Sequence, residues 1–252
     1  MIPYFPQPVW HIGRFEIHAF GIAAAVALNA GYFLTAYLAG RARLKESLAL
    51  SLLLLMVIAG VAGGHAAFMF QHPEAAARWL RIWDGQSATG VAVSLLFAAF
   101  AVFGFLGRNV ADPWAYLNLY GFVVVVMWTC VRAGCALAHD HPGRLTSSQL
   151  GVRFPSGTRF DLGLLEFLAA LLICALFVIL KQRGFTRFLA LSLIAIGATR
   201  LALDPLAIHV TEPRWMRVAA AAVYVGLCIG GLALFKIPRR NHGTVGMMVK
   251  AR

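Results

Sequence analysis

Five stretches of this chain, residues 17–40, 47–73, 85–107, 113–131 and 218–235, run the length of a membrane span without a single Asp, Glu, Lys or Arg. About 20 apolar residues as helix cross a hydrocarbon core of ~30 Å. Inside that core no water satisfies the backbone, so each stretch has to close its own hydrogen bonds as an α-helix. Two further windows, 162–180 and 188–206, are apolar but carry Glu166 and the pair Arg200 and Asp204. The expected fold is therefore an all-α integral membrane protein, a bundle of about seven transmembrane helices. Residues 1–252 form one transmembrane helical domain, with a long outer loop between the fourth and fifth spans. Composition agrees: 60% of residues are hydrophobic and 13% charged, against roughly 25% charged in soluble domains.

The net charge of +12 raises nucleic acid as a partner, but its distribution excludes that class. The basic residues sit between apolar windows rather than along one face. Of 22 Lys and Arg residues, 12 fall in the linkers after spans one, three and five and in the C-terminal tail, and 10 fall on the opposite side. Arg132 and Arg200 are among the ten and abut span ends, so the positive-inside rule predicts N-terminus out and C-terminus in. Met1 to Phe15 is Pro-rich and aromatic, unlike a cleaved signal peptide, so the first helix is expected to be retained. The rings of Tyr4, Phe5 and Trp10 suit a segment lying on the outer interface or, equally, an ordinary ordered terminus. Cys130, Cys135, Cys174 and Cys228 all fall within or at the ends of apolar windows and read as small buried residues.

Ionisable groups at membrane depth cost roughly 2.5–3.5 kcal/mol each, which makes each one a functional candidate. Arg132 follows the fourth window, and Arg200 and Asp204 share a helical face near the outer end of the sixth. Two arginines near one surface would suit a phosphate, because guanidinium donates in a planar fork. The plainer readings are snorkelling for Arg132 and a helix-end salt bridge for Arg200 with Asp204. Glu166 lies about one turn below the outer boundary, where it has to meet an arginine or hold a proton. The linker from about 132 to 161 is rich in Pro, Gly, Ser and Thr and is expected to be turns rather than helix. Within it Asp140, His139 and His141 are positioned to handle a proton. With Cys135 the histidines offer metal ligands, but solvated turn histidines explain them more simply, and no metal or cofactor is expected.

The segment Val131-Arg132-Ala133-Gly134-Cys135-Ala136-Leu137-Ala138-His139-Asp140-His141-Pro142-Gly143-Arg144 resembles the signature Gly-Arg-Ile-Gly-Asn-Phe-Ile-Asn-Gly-Glu-Leu-Trp-Gly-Arg of the prolipoprotein diacylglyceryl transferase family. His18-Ala19-Phe20-Gly21 is similar to that family's early His-Trp-Tyr-Gly element, and Ile82-Trp83-Asp84-Gly85 to the opening of its central motif. Leu164-Leu165-Glu166 and the run from Gly197 through Arg200 to Asp204 are similar to its later elements. The resemblance implies a seven-helix enzyme of the bacterial inner membrane that moves diacylglycerol from phosphatidylglycerol to a lipobox cysteine thiol. Its partners would be phosphatidylglycerol, the signal-peptide segment of a prolipoprotein and the surrounding lipids. It implies Arg132, Arg200, Gly134 and His18 at the substrate, Glu166 and Asp204 orienting the arginines, and Asp140, His139 or His141 taking the proton. The chain departs from the pattern where Ser87-Ala88-Thr89-Gly90 replaces Ser-Phe-His-Gly and where Cys135 replaces asparagine. Those departures admit a second reading, a lipid-binding or accessory relative without catalysis, or a transferase with another acceptor.

Overall fold

The computed structural model describes residues 1–71, 113–208 and 213–236, together with 94, 96, 98, 99, 101, 102, 104 and 105. Six helices among the described residues are long and apolar enough to cross a membrane. They are α1 (Ala19–Arg41), α2 (Glu46–Gln71), α3 (Pro113–Ala138), α4 (Leu162–Gln182), α5 (Phe188–Leu203) and α6 (Arg214–Lys236). The apolar window 85–107 and the Trp83 and Ser87–Gly90 motif positions lie wholly or largely outside the described residues. The outer faces suit lipid as solvent: Phe33 is 66% exposed and Leu172 73%, and neither would be stable facing water over so wide an apolar surface.

Three boundaries differ from expectation. Helix α3 continues seven residues beyond the window that suggested it, so Arg132, Gly134 and Cys135 are helical rather than part of the loop. No Pro or Gly-rich breaker interrupts the run until His139, which takes a left-handed φ of 51°. Helix α5 stops at Leu203 and gives way to a 3-10 turn, Asp204–Leu206; Pro205 lacks the N–H that a further α-helical turn needs. Helix α6 begins one turn early, at Arg214.

The expected outer loop is a small β-structure, which corrects a purely α-helical reading. Strands β4 (Pro142–Leu145), β5 (Val152–Phe154) and β6 (Gly157–Asp161) join β1 (Ile2–Pro3) in a four-stranded sheet of order β1-β5-β6-β4. β5 and β6 form a hairpin in which Phe154 faces Gly157, whose φ of +112° closes the turn. β1 pairs parallel to β5, Ile2 opposite Val152, so the N-terminus closes over the loop. A separate hairpin of β2 (Val9–Ile12) and β3 (Phe15–His18) leads into α1.

Packing shows how the helices run. The start of α1 meets the end of α3, where a Cβ on Gly134 would stand 2.6 Å from the Ala23 Cβ. The absence of a side chain there lets the two backbones approach. Gly163 at the start of α4 lies against the Cys135 carbonyl, 2.8 Å from where its Cβ would be. Phe122 of α3, Phe177 of α4 and Phe188 of α5 cluster at the far end, with Phe122 and Phe188 edge to face at 5.1 Å. The end of α3, the start of α4 and the end of α5 therefore share one end of the bundle, together with the sheet.

Candidate functional site

At that end three charged side chains meet inside the bundle. Glu166, on the second turn of α4, is 5% exposed. Its Oε2 lies 2.6 Å from Arg132 Nε, and its Oε1 accepts from Arg200 Nη1 at 2.7 Å. The Arg132 and Arg200 side chains are 9% and 12% exposed. Arg132 does not snorkel to the surface. One carboxylate in a low-dielectric setting has a guanidinium at each oxygen; the Arg200 contact is a hydrogen bond, whereas Arg132 Nε and Glu166 Oε2 pair by charge without hydrogen-bond geometry. The trio still carries one net positive charge. Both guanidinium groups lie against the same carboxylate.

Arg132 also leads outward. Its Nη1 donates to the Cys135 Sγ at 3.6 Å, one helical turn nearer the loop. The Cys135 Sγ, an Asp140 carboxylate oxygen and a His141 ring nitrogen all lie within 4.8 Å of one another. His141 Nδ1 is hydrogen-bonded to Asp140 Oδ1, and both side chains are about one-third to two-fifths exposed. Beyond the Arg132–Cys135 contact, the half-exposed carboxylate–imidazole pair lies within 4.8 Å of the sulfur.

Neighbouring His139 does something else. Its Nδ1 is hydrogen-bonded to Asp161 Oδ2, and its side chain is 3% exposed. The ring packs against Phe5 at 4.4 Å, Tyr4 at 5.3 Å and Phe154 at 6.0 Å. The Nε2 is buried with no hydrogen-bond partner among the described residues. This enclosure ties the end of α3 to the N-terminus and to the start of α4. Asp161, 1% exposed, caps α4 with its other oxygen, which accepts from the Leu164 N–H at 3.1 Å. Sequence reasoning passed over Asp161, although an Asp directly before an apolar window is an N-cap signal. It also read Tyr4 and Phe5 as interfacial rings or part of an ordered terminus, and not as the packing around His139.

The remaining candidates are Gly134, His18 and Asp204. The space at Gly134 is filled by Ala23 and Phe20 of α1, so this glycine serves helix approach. His18 caps the start of α1 without a side-chain bond and stands 3.9 Å from Glu16, its side chain half exposed. Asp204 is the half-buried residue that ends α5, one turn beyond Arg200.

Residues 7–235 match the sequence pattern of the prolipoprotein diacylglyceryl transferases. The chain belongs to that family. No curated protein sequence matches it. The described trio joins three helices: Arg132 of α3 and Arg200 of α5 both pair with Glu166 of α4. Family membership and six membrane-competent helices make it a multi-pass membrane protein of transferase type, engaged in lipoprotein biosynthesis.

Proposed function

We propose that this diacylglyceryl transferase uses phosphatidylglycerol as donor and the thiol of a prolipoprotein lipobox cysteine as acceptor, in the bacterial inner membrane, with its N-terminus and sheet outside and its C-terminus in the cytoplasm. The observation that carries the reading is the Arg132–Glu166–Arg200 trio, a buried cluster with one positive charge to spare. The donor phosphodiester carries the complementary charge. In the reaction the thiol loses its proton, its sulfur attacks carbon 3 of the glycerol that bears the acyl chains, and the bond from that carbon to the phosphate oxygen breaks. Glycerol 1-phosphate departs with the electron pair. Guanidinium groups on the departing phosphate stabilise charge where it develops, the usual route to a large rate effect.

The proton goes to the Asp140–His141 pair. A free thiol of pKa near 8.5 is only slightly ionised at neutral pH, and an imidazole near 6.5 is a suitable acceptor. Asp140 holds the ring by its Nδ1, which leaves the other nitrogen to receive the proton. His139 has no part in this step. Its adjacent position in the sequence suggested one, but its ring is enclosed with Asp161. Asp204 and His18 are assigned no chemical step.

The departure at Ser87–Gly90 favours the rival reading, a relative that binds lipid without transferring it. Reconstitution of the full chain with phosphatidylglycerol and a lipobox peptide separates the two. The proposal expects a diacylglyceryl thioether on the peptide and an equal amount of glycerol 1-phosphate. Arg132→Ala and Arg200→Ala should lower both lipid binding and transfer. Lipid binding without thioether would establish the rival. A reporter fused after Phe235 should read cytoplasmic, and a periplasmic signal would reverse the orientation.

A further inference from the structure

We infer that Cys135, Asp140 and His141 form a binding site for a zinc-class divalent transition-metal ion at the end of α3. One ligand atom from each, a sulfur, a carboxylate oxygen and an imidazole nitrogen, lies within 4.8 Å of the other two. No spacing rule finds this set, because the two outer ligands are folded back over the first by the backbone. His139 takes a left-handed conformation at φ 51°, a strained one for a non-glycine residue. That turn directs Asp140 and His141 back toward Cys135, one helical turn earlier. The His139–Asp161 hydrogen bond and the rings of Tyr4, Phe5 and Phe154 hold the turn in place. The fold thus invests strain in a turn whose outward product is the cluster of three ligand types.

The donor set selects the ion. Calcium and magnesium take oxygen ligands, whereas a thiolate and an imidazole with one carboxylate suit zinc and its neighbours. Three protein ligands leave a fourth tetrahedral position for water. Bonds of about 2.0–2.3 Å require the three atoms to draw closer together. Rotation of the exposed Asp140 and half-buried His141 side chains supplies that movement, while Cys135 stays fixed in the buried helix. Arg132 Nη1 donates to the sulfur, an interaction that a thiolate accepts more strongly than a thiol. The repulsion from Arg132 is partly offset by Glu166, which also holds Arg200. A thiolate and a carboxylate cancel the charge of a divalent ion, so the filled site adds no net charge at membrane depth.

A metal held by His141 and Asp140 competes with the proposed use of the same two side chains to take the thiol proton. A bound ion therefore inhibits transfer, a consequence that rests on the proposed reaction. The binding itself does not.

The test is a cobalt(II) titration of the full-length protein in lipid nanodiscs, read by the near-ultraviolet thiolate-to-cobalt charge-transfer band. One saturable site is expected. Cys135→Ser should abolish the band, and the variant with Cys130, Cys174 and Cys228 all changed to Ser should keep it. Asp140→Asn and His141→Gln should each weaken binding about 10- to 100-fold. The inference is overturned if the parent gives no band, if the band survives Cys135→Ser, or if the triple-Ser variant loses it. If the band behaves as expected but zinc leaves thioether formation unchanged, the site stands and the assignment of His141 as proton acceptor falls.

Discussion

The two ends of the helix bundle solve the problem of polar groups in an apolar protein in opposite ways. At the far end, side chains satisfy backbone. The Tyr116 hydroxyl accepts from the Lys45 N–H at 3.1 Å, the Tyr120 hydroxyl donates to the Ala49 carbonyl, and Asn118 Oδ1 accepts from the Leu189 N–H. Arg187 donates to the last carbonyls of α6. These bonds tie helix ends together around the Phe122–Phe177–Phe188 cluster, and each involves one neutral partner. At the sheet end, charged side chains satisfy one another: Glu166 holds Arg132 and Arg200, and Asp140 holds His141. A side chain bonded to a carbonyl is spent on structure. A cluster of charges with one cation in excess can still engage a substrate.

The comparison is broken most severely by removing its central carboxylate. Glu166→Ala leaves two buried guanidinium groups facing each other without a counter-charge, and loss of one partner from a buried ion pair costs about 3–5 kcal/mol. The expected result is a sharply lower thermal midpoint in detergent together with loss of transfer. A midpoint near the parent's would mean that the arginines reach water. At the far end, Phe177→Ala opens a cavity between α3, α4 and α5 and should cost about 3 kcal/mol. Binding of phosphatidylglycerol by the folded fraction should stay unchanged, which isothermal titration of folded protein can check. Tyr120→Phe removes one buried hydroxyl bond and should cost about 1 kcal/mol, with no change in the rate of transfer per folded molecule. Loss of transfer in either far-end variant would dissolve the division between the ends.

Much of this division was legible in the sequence, because burial in lipid makes a charge conspicuous. Glu166 and Arg200 stood out as the charges in otherwise clean apolar windows, and Arg132 as the one at a window's edge. Their meeting on one carboxylate needed only that the end of α3, the start of α4 and the end of α5 share a side. The sheet was not legible. Its strands are two to five residues long, too short for alternation to register, and β1 pairs with residues some 150 positions away. Nor does sequence distinguish His139 from His141. What sends one inward to Asp161 and the other outward to Asp140 is a single left-handed φ at a non-glycine residue. Cys135 read as a small buried residue or, with the two histidines, as a metal ligand; nothing in a helical window marks that Asp140 is also folded back upon it.

At the sheet end, proton-coupled transfer is proposed to run through His141. It is tested most directly by the single-turnover rate of glycerol 1-phosphate release from phosphatidylglycerol, with a lipobox peptide saturating, for His141→Gln beside the parent. His141 is half exposed and lies outside the apolar packing, so the variant should fold within about 0.5 kcal/mol of the parent and bind lipid equally well. Its release rate should fall by about 10²- to 10⁴-fold, the contribution typical of a positioned proton acceptor. A variant that releases glycerol 1-phosphate as fast as an active parent would contradict the claim.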